Sequence, residues 1–189
     1  MDGRTRTACE AYVREVLRFS GALNLTSIRD AADFHLRFVA PSLALCPWMP
    51  ERGRLLDIGS GMGIPGIPLL IACPGLHGIL VERRKKRAEF LRHIVRLLKL
   101  DAEVYDRDVR ELDDLHIDVC VARAVSHPGA LLAMCAGHAN TGARAVFPVA
   151  DRCEAASSPD WELEKERVLD QGVAQRVQIY RRTEVSRET

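Results

Sequence analysis

At 189 residues the chain has the length of a single domain and can bury a substantial core. Apolar residues make up 47% and charged residues 28%, a globular balance rather than that of a disordered tract. A formal net charge of +1 excludes a uniformly basic nucleic-acid coat, so any argument about partners rests on local patterning. The six cysteines (Cys9, Cys46, Cys73, Cys120, Cys135, Cys153) form no C-x-x-C pair and no ligand spacing. Reduced, largely buried thiols are expected, and no metal site. The first residues are polar with no leader pattern, and a cytoplasmic protein is expected.

Taken in order, residues 5–19 place Cys9, Tyr12, Val13, Val16 and Leu17 at helical spacing among Arg and Glu, which predicts a helix with one buried face. Asn24–Ile28 is a connector rich in capping residues, and Asp30 can cap a second helix. That helix is expected to end near Ala40, because a proline at 41 disfavours helical geometry in the residue before it. Pro47, Pro50 and Gly53 then lead into the central stretch, Arg54–Gly66. There Leu55, Leu56 and Ile58 read as a buried strand, Gly59, Gly61 and Gly63 as a sharp turn, and Pro65 as the first turn of a helix. Ile64–Val81 runs 18 residues without a formal charge, but three prolines and three glycines split it into a helix near 65–73 and a strand at 78–81 ending at Glu82. A strongly basic helix follows over 84–98, with Phe90, Leu91, Ile94, Leu97 and Leu98 on its inner face.

Further strands are expected at 103–105, 117–122 and 144–147, with a helix from Pro128 to about His138 before the last. Alternating strands and helices imply right-handed crossovers and a mostly parallel sheet. Residues 150–160 read as a loop, and 167–169 with 176–180 as a final antiparallel pair. The tail 183–189 is expected to be disordered. The organisation is therefore one α/β domain, with a helical extension over 1–50 and a core over 54–182.

Glycines spaced as in Gly59-Ser-Gly61-Met-Gly63 let a ligand approach the main chain, while the following helix start offers unpaired N–H donors. Two cofactor classes use such a turn. Gly61-Met-Gly63-Ile-Pro-Gly66 fits the dinucleotide pattern, with Glu82 near the expected ~20-residue offset for a ribose-binding acid. Asp57, two residues before Gly59, instead completes Asp-x-Gly-x-Gly-x-Gly, which resembles the first motif of S-adenosylmethionine-dependent methyltransferases. There an acid faces the cationic methionine end, whereas it would repel a pyrophosphate. Little chain remains for the second domain of an oxidoreductase.

Several stretches together carry a more specific resemblance: Asn24-Leu-Thr-Ser-Ile28-Arg29, Asp57-Ile-Gly-Ser-Gly-Met-Gly-Ile-Pro-Gly-Ile-Pro68, Lys86-Arg87-Ala-Glu-Phe-Leu91, Asp118-Val-Cys-Val-Ala-Arg-Ala124 and Arg176-Val-Gln-Ile179. Their order and spacing resemble the bacterial 16S ribosomal RNA 7-methylguanosine methyltransferase G family, also called glucose-inhibited division protein B. The resemblance implies a Rossmann-like methyltransferase fold preceded by helices, S-adenosylmethionine at the carboxyl ends of the strands, and methyl transfer to N7 of a guanine in small-subunit rRNA. By position it implies that Gly59 and Ile64 line the cofactor site, that Val109 and Arg110 contact its adenine end, and that Arg123 sits where cofactor and guanine meet. The family's Arg-His-x-x-Asp-Ser appears here as Arg37-Phe38-Val-Ala-Pro41-Ser42. Its Arg-x-Glu after the third strand appears as Asp108-Val109-Arg110, and Phe147-Pro148 stands where a lysine is expected. A methyltransferase for another RNA or small molecule, or a non-catalytic RNA-binding relative, are the rival readings.

The residues support a site of this kind. Glu82 ends an apolar strand and can accept both ribose hydroxyls, or it can pair with the adjacent arginines. Asp108 can meet the adenine amino group, or it is a solvated loop acid. Arg123 leaves a buried strand at the edge where ligands bind in such sheets, and its fork suits guanine O6, phosphate or a carboxylate. Its structural alternative is an ion pair with Asp118 or Asp57. His127, in Ser126-His127-Pro128, is expected to be structural. Residues 83–99 hold eight Lys or Arg (Arg83, Arg84, Lys85, Lys86, Arg87, Arg92, Arg96, Lys99) against Glu89, whereas 101–118 hold eight acids against two arginines. The basic ridge Arg83–Lys99 is a candidate contact with ribosomal RNA or the small ribosomal subunit. No membrane contact is expected.

Overall fold

The computed structural model describes residues 2–123, 125–170, 172 and 174–184. Helix α1 (Gly3–Leu23) starts where the Asp2 carboxylate accepts the Thr5 N–H at 2.7 Å, and ends at Asn24 in the left-handed region. Its buried stripe is the predicted one, Cys9, Tyr12, Val13 and Val16. The second helix begins at the Asp30 cap, as α2 (Ala31–Phe34), but it does not stop before Pro41. The chain passes through a wide π turn (His35–Val39) into α3 (Ala40–Leu43), with Ala40 itself helical at φ −60° and ψ −45°. The wide turn changes the stacking of carbonyls beneath the proline ring, which relieves the clash that an ideal helix would impose.

Seven strands follow: β1 (Gly53–Ile58), β2 (Leu76–Val81), β3 (Ala102–Tyr105), β4 (Ile117–Ala122), β5 (Ala139–Val149), β6 (Trp161–Asp170) and β7 (Ala174–Arg182). They form one sheet in the order β3-β2-β1-β4-β5-β7-β6. The first five are parallel, and β7 pairs antiparallel with both β5 and β6. Helices α4 (Gly66–Ala72), α5 (Lys85–Leu98) and α6 (Pro128–Ala136) make the crossovers. Two hydrophobic clusters result. One is shared by α1, α2, α4 and α5, the other lies toward α6, Trp161 and Tyr180.

Strand β6 is far longer than the predicted 167–169, and β5 extends well beyond 144–147. β6 is an edge strand whose side chains are nearly all solvated, so its charges mask the period-two signal. In α5 the buried residues are Ala88, Phe90, Leu91 and Ile94, while Leu97, expected inside, is 48% exposed because it lies off that stripe. Of the tail, residues 185–189 lie outside the described residues. No helix among those described is long and apolar enough to cross a membrane.

Candidate functional site

β1 delivers its last residues into the glycine turn, where Gly59, Gly61 and Gly63 take positive φ of 68°, 59° and 99°. At Gly59 the need is twofold, since a Cβ there would also lie 2.6 Å from Val125 Cγ2. The turn is stitched to the next strand: Ser60 N–H donates to the Val81 carbonyl at 2.9 Å, and Ser60 Oγ–H to the Asp57 carbonyl at 2.9 Å. Glu82 closes the arrangement. Its carboxylate accepts the Gly61 N–H at 3.0 Å on one oxygen and the Arg84 N–H at 2.8 Å on the other. Backbone amides therefore hold Glu82 in place of the adjacent arginine side chains. Each oxygen keeps acceptor capacity for a hydroxyl donor.

Asp57 takes a different place from the one expected. Rather than facing a ligand, it is fully buried beneath the turn, and its Oδ2 accepts the Gly66 N–H at 3.2 Å. Oδ1 has no hydrogen-bond partner, and burial pushes the carboxyl up to about 7. Gly66 is required here, because a Cβ would lie 2.5 Å from Asp57 Oδ2. Ile64 likewise packs into the core at 6% exposure instead of lining the cleft.

The cleft beside Glu82 has a volume of about 340 Å³. Ile58, Gly59 and Val81 form its floor, Val109 and Met134 its apolar wall, and Val125 with Ser126 its lip. Asp108 and Arg110 stand together at one end. Asp108 caps the short 3-10 turn Val109–Glu111 and takes a two-pronged ion pair from Arg110, with Nε at 2.9 Å and Nη2 at 2.8 Å. This pairing holds the Asp108 carboxyl well below the usual range. Asp108 is thus neither a free loop acid nor an uncommitted acceptor, and Arg110 folds back on it instead of pointing into solvent. Arg83, Arg84 and Arg107 are exposed on the rim.

Arg123 lies on the far side of this cleft, in a second pocket of about 490 Å³ lined by Arg37, Pro41, Pro148, Asp151 and Arg176. It forms no ion pair with Asp118 or Asp57. Instead its guanidinium stacks on Phe38 at 4.7 Å and donates to the Arg37 carbonyl at 3.3 Å, while burial lowers its pKa. Asp118 accepts the Arg54 N–H and an Asn140 amide hydrogen bond. His127 is structural, accepting the Gly129 N–H at the start of α6. A larger groove of about 710 Å³ runs between α1 and α2, beside Val13 and Leu36, remote from the strand ends. Among the described residues there is no group of three or more side chains suited to a metal ion.

A family model described as rRNA small subunit methyltransferase G matches residues 5–149. The chain belongs to this family. A relative named ribosomal RNA small subunit methyltransferase G, from Stenotrophomonas maltophilia (strain R551-3), is 44% identical over 116 residues, covering 60% of this chain and 54% of its own length. One of the same name from Xylella fastidiosa (strain 9a5c) is 40% identical over 140 residues, covering 66% of each. The chain spans about half to two thirds of the length of these relatives. Among solved structures, MtNAS in complex with MTA and tNA matches at a TM-score of 0.63 and 18% identity, over 94% of this chain and 71% of that one. TrmN from Thermus thermophilus matches at 0.56 and 20% identity, over 76% and 48%. At such identities the fold is what they share.

Within this methyltransferase G family member, one contact escaped sequence reading altogether. Tyr12, which reads as a core residue of α1, donates its hydroxyl to the Met62 carbonyl at 2.8 Å and so ties the helical extension to the glycine turn. The only hint was a tyrosine among smaller apolar residues, since a buried phenol needs a partner.

Proposed function

We propose that the chain transfers a methyl group from S-adenosylmethionine to N7 of a guanine in small-subunit rRNA, as one methyltransferase domain with residues 54–182 as core and 1–50 as helical extension. Family membership supports the reaction class, and the observation that carries the site is the Glu82 clamp beside the glycine turn. The residues fit the cofactor. Gly59 leaves a space that a Cβ would fill, Glu82 offers two preorganised acceptors to a ribose, and Val109 with Met134 offers apolar surface to a purine. Gly61 contributes to this cradle through its N–H on Glu82. Asp57 acts from below, by fixing the start of α4. When bound, S-adenosylmethionine supplies an electrophilic methyl group on a sulfonium.

Guanine N7 has an in-plane lone pair and no proton, so no general base is needed. The protein's work is to align acceptor and donor and to exclude water, which can lower the barrier by several kcal/mol. Arg123, the residue we assign to the acceptor side, keeps N–H donors free for guanine O6 or a phosphate. Contact with rRNA falls to the start of the basic ridge. Arg84, Lys85 and Lys86 are exposed beside the cleft, whereas Arg87 is committed to the Asn24 carbonyl and Arg92 to Glu89 and Asp106.

A second reading, a relative acting on another acceptor, draws on Phe38, Pro41 and Pro148, which depart from the family pattern on the Arg123 side. Mass spectrometry of rRNA from a deletion strain, before and after treatment with the purified protein, decides between them. Loss and restoration of one 7-methylguanosine is expected. An unchanged nucleoside inventory would refute the proposal.

A further inference from the structure

Aromatic side chains of the helical extension run without a break from Arg123 to the glycine turn. The Arg123 Cζ lies 4.7 Å from the centre of the Phe38 ring. Phe38 packs on Phe34 at 4.9 Å, and Phe34 meets Tyr12 edge-on at 6.2 Å. Tyr12 and Phe34 are fully buried, and the Tyr12 hydroxyl ends the run on Met62. Arg123 has no carboxylate partner among the described residues, so stacking rather than ion pairing sets its orientation. A guanidinium lying flat on a ring keeps its edge N–H groups available. Pro41 contributes by omission. It has no N–H to offer the Arg37 carbonyl four residues earlier, and Arg123 occupies that carbonyl at 3.3 Å.

We propose that Phe38 is a positioning residue for methyl transfer: braced by Phe34 and Tyr12, its ring fixes the plane of the Arg123 guanidinium at the acceptor pocket. This rests on the assignment of Arg123 to the acceptor side. It also gives the helical extension a role in the reaction, since one aromatic run supports both the acceptor arginine and the cofactor turn.

The test compares Phe38→Leu, Phe38→Tyr, Pro41→Ala and Arg123→Ala in steady-state methyl transfer to small-subunit rRNA. Phe38→Leu should lower kcat/KM for RNA by about tenfold with the affinity for S-adenosylhomocysteine unchanged, because a cation–π contact and its alignment are lost. Phe38→Tyr should restore turnover to within about twofold, since it keeps the ring face. Pro41→Ala restores a backbone donor that competes for the Arg37 carbonyl, and should lower kcat/KM severalfold. It decides the matter if Phe38→Leu does not fold. Side-chain nitrogen NMR gives a readout independent of turnover: the Arg123 guanidinium resonances should be resolved in the wild type and averaged in Phe38→Leu. Full turnover per folded molecule in Phe38→Leu and Pro41→Ala, with Arg123→Ala impaired, overturns the role of Phe38 and leaves the acceptor assignment standing. Full turnover in Arg123→Ala overturns the acceptor assignment and this proposal with it.

Discussion

On the cofactor side of the molecule the walls are largely main chain: amides of Gly61 and Arg84 grip Glu82, and carbonyls of Val81, Asp57 and Met62 hold the turn. On the Arg123 side they are side chains gathered from the helical extension and the last hairpin, Arg37 and Pro41 with Gln175 and Arg176. The difference separates what can vary from what cannot. A cradle made of backbone and glycine has few substitutes, and it keeps its motif intact. A pocket made of side chains can be rebuilt, and Phe38, Pro41 and Pro148 stand in this second region.

The most damaging way to break the comparison is at the cradle. Gly59→Val places a β-branched side chain in the left-handed region and against Val125, a strain of about 1–3 kcal/mol before any clash with ligand. We expect S-adenosylhomocysteine affinity to fall by roughly a hundredfold in calorimetry, at ~1.4 kcal/mol per decade with the clash added. Near-wild-type affinity would mean that no ligand approaches this backbone. A smaller loss should follow Tyr12→Phe, which leaves the Met62 carbonyl without its donor. About 1–3 kcal/mol of stability is expected to disappear, with weaker cofactor binding in parallel. A drop in melting temperature with unchanged binding would confine Tyr12 to the core.

Charge reversal of Arg84, Lys85 and Lys86 to Glu sharpens the contrast from outside. Acids in the first turn of a helix are favoured by its dipole, so α5 should remain stable. RNA affinity should fall, and the salt dependence should flatten by about one unit of slope per lost phosphate contact. An unchanged slope would make the ridge a solvated face. The subtlest test is pH. A buried carboxyl raised to about 7 takes up a proton on folding between its unfolded value and 7, so Asp57 lowers stability progressively as pH rises through that window. In Asp57→Asn the fall between pH 5 and 8 should be shallower by denaturant titration. Parallel curves would show that Asp57 is ionised in both states.

Much of the first five strands was legible, because each is an apolar run bounded by glycine, proline or charge. The glycine turn and Glu82 were legible for the same reason: a backbone cradle writes itself into sequence as spacing. Other features were not. Asp57 looks like a ligand-facing acid until α4 is docked above it, and its burial is a property of that docking. The helix through Pro41 was read as a stop because the π turn that accommodates it has no local signature. The ten-residue β6 carries charges on both faces as an edge strand, and only Arg167–Leu169 reads as strand. The Phe38–Arg123 stack joins positions 85 residues apart, with no motif between them.

That the two sides divide the labour is tested most directly by Arg123→Ala, with cofactor affinity, melting temperature and methyl transfer to small-subunit rRNA measured on one preparation. Removing a charge-assisted contact worth roughly 1.5–3 kcal/mol should lower kcat/KM about ten- to a hundredfold. S-adenosylhomocysteine affinity and melting temperature should stay close to wild type, because the guanidinium contacts no residue of the Glu82 cleft. A lowered melting temperature with turnover retained in the folded fraction would contradict this, and would make Arg123 a strut between sheet and helices.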